Sequence, residues 1–257
     1  MTAPPTLPAR GFPRDFRIGG AWVNSYKVML CVGLWTGSLA SAALAQRSGL
    51  SPLRIGLAAA ASAVAGLAGA RIYYLLSHAR HFLALGSWRA LWDGRQGGWS
   101  VFGALLTFVP VSLAAARTAG VPAADLWDHV AFGVLAGAAW IRCGCVFNGC
   151  CVGRESHAAW AVRLHDVRGV CKPRVPVQFL EMGWWLAGTV VFLALWGAGW
   201  SRGSYALGVL GWYGLGRTAL EPLREHRDLV FGRVPLNQVV AILLAAGAAV
   251  GLVLLNR

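Results

Sequence analysis

Apolar residues occupy this chain in long blocks separated by short polar stretches, with little of the one-in-two alternation that marks a half-buried strand. Seven blocks, at about 28–46, 55–76, 99–116, 126–142, 178–198, 204–222 and 234–255, approach the roughly 20 residues a helix needs to cross about 30 Å of hydrocarbon. They are rich in Ala, Leu and Gly, and a lipid-facing backbone must satisfy its own hydrogen bonds, so each block predicts a helix. Small residues at helix-packing spacing (Gly66–Ala70, Gly133–Gly137, Gly208–Trp212–Gly216) predict close helix approach. The fourth block is short and carries Asp125, Asp128 and His129 at its start, which makes it the weakest span. In the first block, Ala43-Leu44-Ala45 resembles a signal-peptidase site, but the apolar run is longer than a signal peptide's, so it is expected to stay as a span.

Composition agrees. Only 13% of residues are charged and 57% are hydrophobic, whereas a soluble domain carries about 25% charge. The expected fold is therefore all-α: a polytopic helical membrane protein of about seven transmembrane helices, in one integral-membrane domain over residues 1–257. Residues 1–20 read as a flexible tail and 154–176 as an extramembrane loop or small cap.

The charge is lopsided, with 23 Lys and Arg against 10 Asp and Glu. In a soluble protein this would suggest nucleic acid; here the spans account for it otherwise, and no nucleic-acid partner is expected. Seven spans assign the N-terminal segment and the loops after spans 2, 4 and 6 to one side, which then holds fifteen of the basic residues, Arg14, Arg80, Arg154, Arg174 and Arg224 among them. The other side holds five, Arg47, Arg54, Arg117, Arg202 and Arg257. Arg71, Arg142 and Arg217 lie within or at the ends of spans, as do Glu181 and Glu221. An ionisable residue at membrane depth is costly and points to function. Arg217 and Glu221, four apart, share a helix face and can pair, with Tyr213 one turn earlier. The alternative is a structural ion pair with snorkelling arginines. Guanidinium groups gathered at one membrane face suit bidentate binding of a phosphate, and the phosphate at that depth is a phospholipid headgroup.

Four segments carry a resemblance. They are Gly69-Ala-Arg71-Ile-Tyr73-Tyr74; Trp92-Asp93-Gly94 with Gly98-Trp-Ser-Val-Phe102-Gly103; Arg142-Cys-Gly144-Cys-Val-Phe-Asn148-Gly149-Cys-Cys-Val-Gly153-Arg154 with Arg174-Val-Pro176-Val-Gln178-Phe-Leu-Glu181; and Tyr213-Gly-Leu-Gly-Arg217-Thr-Ala-Leu-Glu221-Pro-Leu-Arg224. In order and spacing they resemble the prolipoprotein diacylglyceryl transferases, over about residues 20–255. The resemblance implies a multi-pass transferase of the bacterial inner membrane that moves a diacylglyceryl group from phosphatidylglycerol to the lipobox cysteine thiol of a prolipoprotein. It implies Arg142, Arg217, Glu221 and Tyr213 as catalytic residues. It implies Arg71, Asn148, Gly153, Arg154, Arg174, Gln178, Glu181 and Arg224 as the phospholipid site. No cofactor and no metal is implied. The family's arrangement puts the site on the periplasmic face, whereas the excess of basic residues on that side would by itself place it inside.

The chain departs from the family pattern at definite positions. Phe102 stands where the pattern has a histidine and cannot accept a proton. Asn24 stands at an earlier histidine, and Cys145 and Cys150 replace an Asn and a Glu of the signature. With Cys143 and Cys151, four cysteines fall within nine residues. They admit three readings: small core residues, a thiol site of Cys143, Cys145, Cys150 and Cys151 with nucleophile, base or disulfide duty, or metal binding, for which the spacing is not a standard zinc pattern. The departures leave two further alternatives, a paralogue with another acceptor or donor and a non-catalytic lipid-binding relative.

Overall fold

A computed structural model of the chain describes residues 14–84, 86, 100–225, 229–230 and 234–257. Seven long helices follow the seven apolar blocks: α1 (Ser25–Arg47), α2 (Pro52–Ser77), α4 (Val101–Ala119), α5 (Ala123–Asn148), α6 (Val177–Leu195), α7 (Ser204–Leu220) and α8 (Leu236–Leu255). A short helix, α3 (Ala79–Ala84), follows α2, and a 3₁₀ turn, Glu221–Leu223, follows α7. Five of these, α1, α2, α5, α6 and α8, are long and apolar enough to cross a membrane. The 17 residues of α7 reach about 25 Å at 1.5 Å per residue. Leu53, Leu57, Leu106, Val190 and Leu243 all stand exposed on the outside, a surface that only a lipid environment would suit. The chain is an all-α polytopic membrane protein.

Local chemistry sets the helix ends. The Asn24 side chain accepts from the Lys27 amide at 3.3 Å, and Ser51 caps α2 ahead of Pro52. Helix α5 runs past the end expected at 142 and stops at Gly149, whose φ of 70° supplies a left-handed cap. Arg142, Cys143 and Cys145 therefore lie in the last turns of a helix and not beyond it.

Helix pairing is dominated by α1 with α5, α2 with α4 and α7 with α8, while α5 also packs on α6 and α7. Small residues make the first two possible. A Cβ on Gly37 would meet the Gly133 carbonyl oxygen at 2.7 Å, and one on Gly33 that of Gly137 at 2.8 Å. A side chain on Gly103 would collide with Gly69 and Tyr73. The third small-residue pattern behaves otherwise: Gly208 faces open space, and it is Gly214 that approaches Ala241 of α8. Gly216 instead sits under Trp184, whose ring stacks on Trp212 at 4.2 Å while each indole donates to the other's main-chain carbonyl at 3.0 Å. Burial centres on two clusters, one joining Leu135 of α5 to Trp185, Phe192 and Val209, the other joining Ile55 and Ala59 of α2 to Leu126.

Three antiparallel hairpins lie outside the helices: β1 (Asp15–Ile18) with β2 (Ala21–Asn24), β3 (Val162–His165) with β4 (Cys171–Arg174), and β5 (Leu229–Val230) with β6 (Val234–Pro235). Residues 15–18, expected within a flexible tail, are thus a strand paired in register Asp15↔Asn24. The loop at 154–176 carries the β3–β4 hairpin. All three hairpins belong to the side that the sequence marks as rich in basic residues.

Candidate functional site

Two carboxylates organise that end of the bundle. Glu181, one turn into α6 and 5% exposed, receives guanidinium groups from three directions. Arg142 Nε of α5 lies 3.0 Å from its Oε2, Arg217 Nη1 of α7 lies 3.7 Å from its Oε1, and Arg224 Nη2 is hydrogen-bonded to Oε1. Glu221, 1% exposed, takes Arg217 Nη2 at 3.1 Å and Arg224 Nε at 3.5 Å. Three guanidiniums face two carboxylates, one more cation than anion before the neighbouring thiols are counted. Packing is incomplete as well: Glu181 Oε2, Glu221 Oε2 and Arg224 Nε are ion-paired but lack a well-directed hydrogen bond. Buried polar atoms in a native protein normally find such bonds, and a shortfall of this kind is where a ligand would act.

Beside this cluster lies a thiol triad. Cys145, in the last turn of α5, and Cys150 and Cys151, just beyond the Gly149 cap, place their sulfur atoms within 4.8 Å of one another. Arg142 Nη1 is 3.9 Å from both Cys145 Sγ and Cys151 Sγ. Contacts from the Cys145 and Cys150 thiols, then the Arg224 and Arg142 guanidiniums, outweigh burial and hold Cys151 far below the ordinary thiol range. Cys150 moves the other way. Its contact with Cys145 favours the thiolate, but Cys151 and burial outweigh that and push it up to about 11. Gln178, 1% exposed, donates its amide to the carbonyl oxygens of Cys150 at 2.8 Å and Cys145 at 3.3 Å, while its own Oε1 has no partner. Cys143 is not part of the triad, and neither are His157 and His165.

A second charged group braces the loops. Arg174, 1% exposed at the end of β4, is hydrogen-bonded to Glu225, lies 3.5 Å from Asp166 Oδ2 and donates to the Gly153 carbonyl at 3.4 Å. Between them runs the signature segment itself. The Arg154 amide donates to Leu223 O at 2.9 Å and its carbonyl accepts from Val175 N at 3.0 Å, while Glu225 N donates to Val152 O at 3.1 Å. Gly153 sits where this strand is squeezed hardest, since a Cβ there would collide with the Val175 carbonyl and approach Val177 Cγ2 at 2.8 Å. The Arg154 side chain is exposed. Asn148 accepts from Arg14 Nε at 3.1 Å, and Arg14 also donates to Val167 O at 3.2 Å, which ties the segment before β1 to this end.

Of the residues singled out in the sequence, Arg142, Arg217, Glu221, Glu181 and Arg224 converge in one cluster, and Gln178, Gly153 and Arg174 build the loops around it. Tyr213 lies a turn from Arg217, its ring stacked on Trp185 at 6.2 Å. Arg71 is 7% exposed on α2 with its guanidinium over the rings of Tyr74 and Phe82, at 5.7 and 5.9 Å; the cluster on Glu181 is built from α5, α6 and α7. Trp92-Asp93-Gly94 and Gly98-Trp99 lie outside the described residues, as does the side chain of Phe102. Not expected at the site were Glu225, Arg14, counted in the sequence only among the basic residues of this side, and Tyr26, whose ring edge packs on Gly144. Arg14 carried the signal of its charge on this side, and Tyr26 that of its place two residues after the departure at Asn24.

The profile of prolipoprotein diacylglyceryl transferase matches residues 13–254, almost the whole chain. The chain belongs to this family. A phosphatidylglycerol–prolipoprotein diacylglyceryl transferase of Cutibacterium acnes is 26% identical over 250 residues, which cover 94% of this chain and 84% of that protein. Proteins of the same name from Brucella ovis and Brucella suis biovar 1 are each 34% identical over 146 residues, 53% of this chain and 48% of theirs. This member of the prolipoprotein diacylglyceryl transferase family carries an arginine–carboxylate cluster on Glu181 and Glu221 and thiols at Cys145 and Cys150.

Proposed function

We propose that this protein transfers the diacylglyceryl group of phosphatidylglycerol to the cysteine thiol of a prolipoprotein, at the periplasmic face of the bacterial inner membrane. The observation that carries the reading is the convergence of Arg142, Arg217 and Arg224 on Glu181 and Glu221 at the end of the helix bundle, three guanidiniums to two carboxylates. A lipid phosphate binds among these guanidiniums. Arg142 and Arg217 hold the phosphate, and Glu221 orients Arg217 through the 3.1 Å pair. Glu181 and Arg224 fix the spacing of the other two guanidiniums. Tyr213 lines the site and Arg71 serves the headgroup from α2, while Asn148, Gly153, Arg154, Arg174 and Gln178 shape its mouth.

The acceptor sulfur attacks the glyceryl carbon bonded to the phosphate oxygen. The carbon–oxygen bond breaks, its electron pair stays on the phosphate, and glycerol phosphate leaves. Charge grows on the leaving oxygen in this step, so donors fixed in advance accelerate it, each by about 10²–10³-fold. The test is complementation of a strain depleted of its own diacylglyceryl transferase, with release of glycerol phosphate from phosphatidylglycerol measured on purified protein. Growth on the wild-type chain and loss of turnover in Arg142→Ala and Arg217→Ala are expected. Full activity in both variants would remove the assignment.

A further inference from the structure

One duty in this reaction has no owner. The acceptor thiol must lose its proton before attack, and residue 102 is a phenylalanine. The thiol triad offers a way to do this without a base. Zinc bound by thiolates at about 2.3 Å in a tetrahedral site holds its sulfurs about 3.8 Å apart. The sulfurs of Cys145, Cys150 and Cys151 are already within 4.8 Å of one another, on a backbone that is held in place. Cys151 is the one non-glycine residue with positive φ (58°) among those described. That conformation is uncommon for a residue with a side chain. Gln178 pins both ligand-bearing stretches by bonding the carbonyls of Cys145 and Cys150.

Once deprotonated, the three thiols favour a cation between them even with the Arg142 and Arg224 guanidiniums alongside. Three thiolates this close would repel one another, and a divalent ion reduces their total from three negative charges to one. Arg142, 3.9 Å from two of the sulfurs, faces that remaining charge as an outer-shell donor. An all-sulfur set selects a soft or borderline ion over Mg²⁺ or Ca²⁺, which require oxygen ligands. Three protein ligands with one open position is the coordination of a catalytic zinc and not of a structural one.

We propose that Cys145, Cys150 and Cys151 bind Zn²⁺, and that its fourth position takes the acceptor cysteine. This rests on the transfer reading above. On coordination the acceptor gives its proton to solvent and becomes a zinc thiolate. A sulfur lone pair then forms the bond to the glyceryl carbon as the carbon–oxygen electron pair passes to the phosphate. The neutral thioether product is a weak ligand and leaves the metal.

The decisive experiment measures metal and turnover together on the full chain, purified in detergent under reducing conditions. About one zinc per chain is expected, falling to near none in Cys150→Ser and unchanged in Cys171→Ser, whose thiol lies on β4 away from the triad. Cobalt substituted for zinc should give the thiolate-to-metal absorption of a tetrahedral sulfur site and should shift on adding a lipobox peptide. Should Cys150→Ser fail to fold, wild-type protein stripped with a chelator and reloaded gives the same comparison, with turnover lost and then regained. Fully reduced protein that binds no zinc and still transfers diacylglyceryl would overturn the zinc site and leave the transfer reading intact. Zinc bound by the triad with no transfer from phosphatidylglycerol to the peptide would instead overturn the acceptor role and the transfer reading with it.

Discussion

The two ends of the helix bundle both bury charge, and they treat it differently. At the end away from the hairpins, Asp128 of α5 is 5% exposed and accepts from the Gly203 amide at 2.7 Å and the Ala206 amide at 2.8 Å. These are free donors at the start of α7, so the carboxylate is satisfied as a cap supplied by a neighbouring helix. Beside it His129, also buried, bonds the Asp125 carbonyl at 2.6 Å and Ser48 at 3.1 Å. At the other end, Arg174, Gln178, Glu181, Glu221 and Arg224 each retain a buried polar atom without a hydrogen bond, and these are the only such residues among those described. Buried charge alone is therefore a poor guide to function; the unfinished hydrogen bonding separates the two ends.

That contrast can be broken by substitution. Glu181→Ala should have the largest effect, because it removes the carboxylate that three guanidiniums share and leaves Arg142 without its ion-pair partner. No measurable turnover is expected, with a loss of about 3–5 kcal/mol of stability, read from the thermal midpoint in detergent. Arg217→Ala leaves Glu221 paired to Arg224, so its fold should hold while turnover falls about 10²–10³-fold. The matching change at the opposite end, Asp128→Ala, should cost about 1–2 kcal/mol and leave turnover per folded molecule as in the wild type. If Asp128→Ala instead abolished turnover in well-folded protein, the division between the ends would be wrong.

The smallest effect concerns acid. The Asp166 carboxyl is lowered from its ordinary value: burial opposes this, but the Val170 and Arg168 amides and the Arg168 and Arg174 guanidiniums outweigh it. A carboxyl lowered by folding stabilises fully above its ordinary value of about 4 and loses that contribution as pH falls through the lowered one. Hydrogen exchange at the Arg168 and Val170 amides, which donate to Asp166 Oδ1 at 2.8 and 3.0 Å, should therefore quicken below about pH 4 relative to the helices. Equal protection across that range would separate Asp166 from the bracing of β3–β4.

Much of this could be seen in the sequence because it is local. The seven helices follow from runs of apolar residues, and the Arg217–Glu221 pair from a spacing of four. What the sequence hid is long-range. Nothing near Glu181 announces that residues 39 positions before it and 43 after it share its carboxylate. The acidic start of α5 looked like a defect in a span because the amides that satisfy Asp128 belong to α7. Gly208 and Gly214 look equally fit for packing, and only the rotation of α7 against α8 chooses between them. Short hairpins such as β1–β2 carry too few residues for an alternating pattern to declare itself.

The bridging segment at 152–156 has a consequence for how this end of the protein can change over time. Its links to residues 223–225 on one side and 173–175 on the other run through main-chain amides and carbonyls. Exposed side chains along the hairpin, such as Val162, Arg163 and Val170, can therefore be exchanged for others without disturbing the register that seats Arg174 and Arg224. The outer surface of the hairpin is thus free to drift in sequence, while the charged residues it helps to seat stay in place.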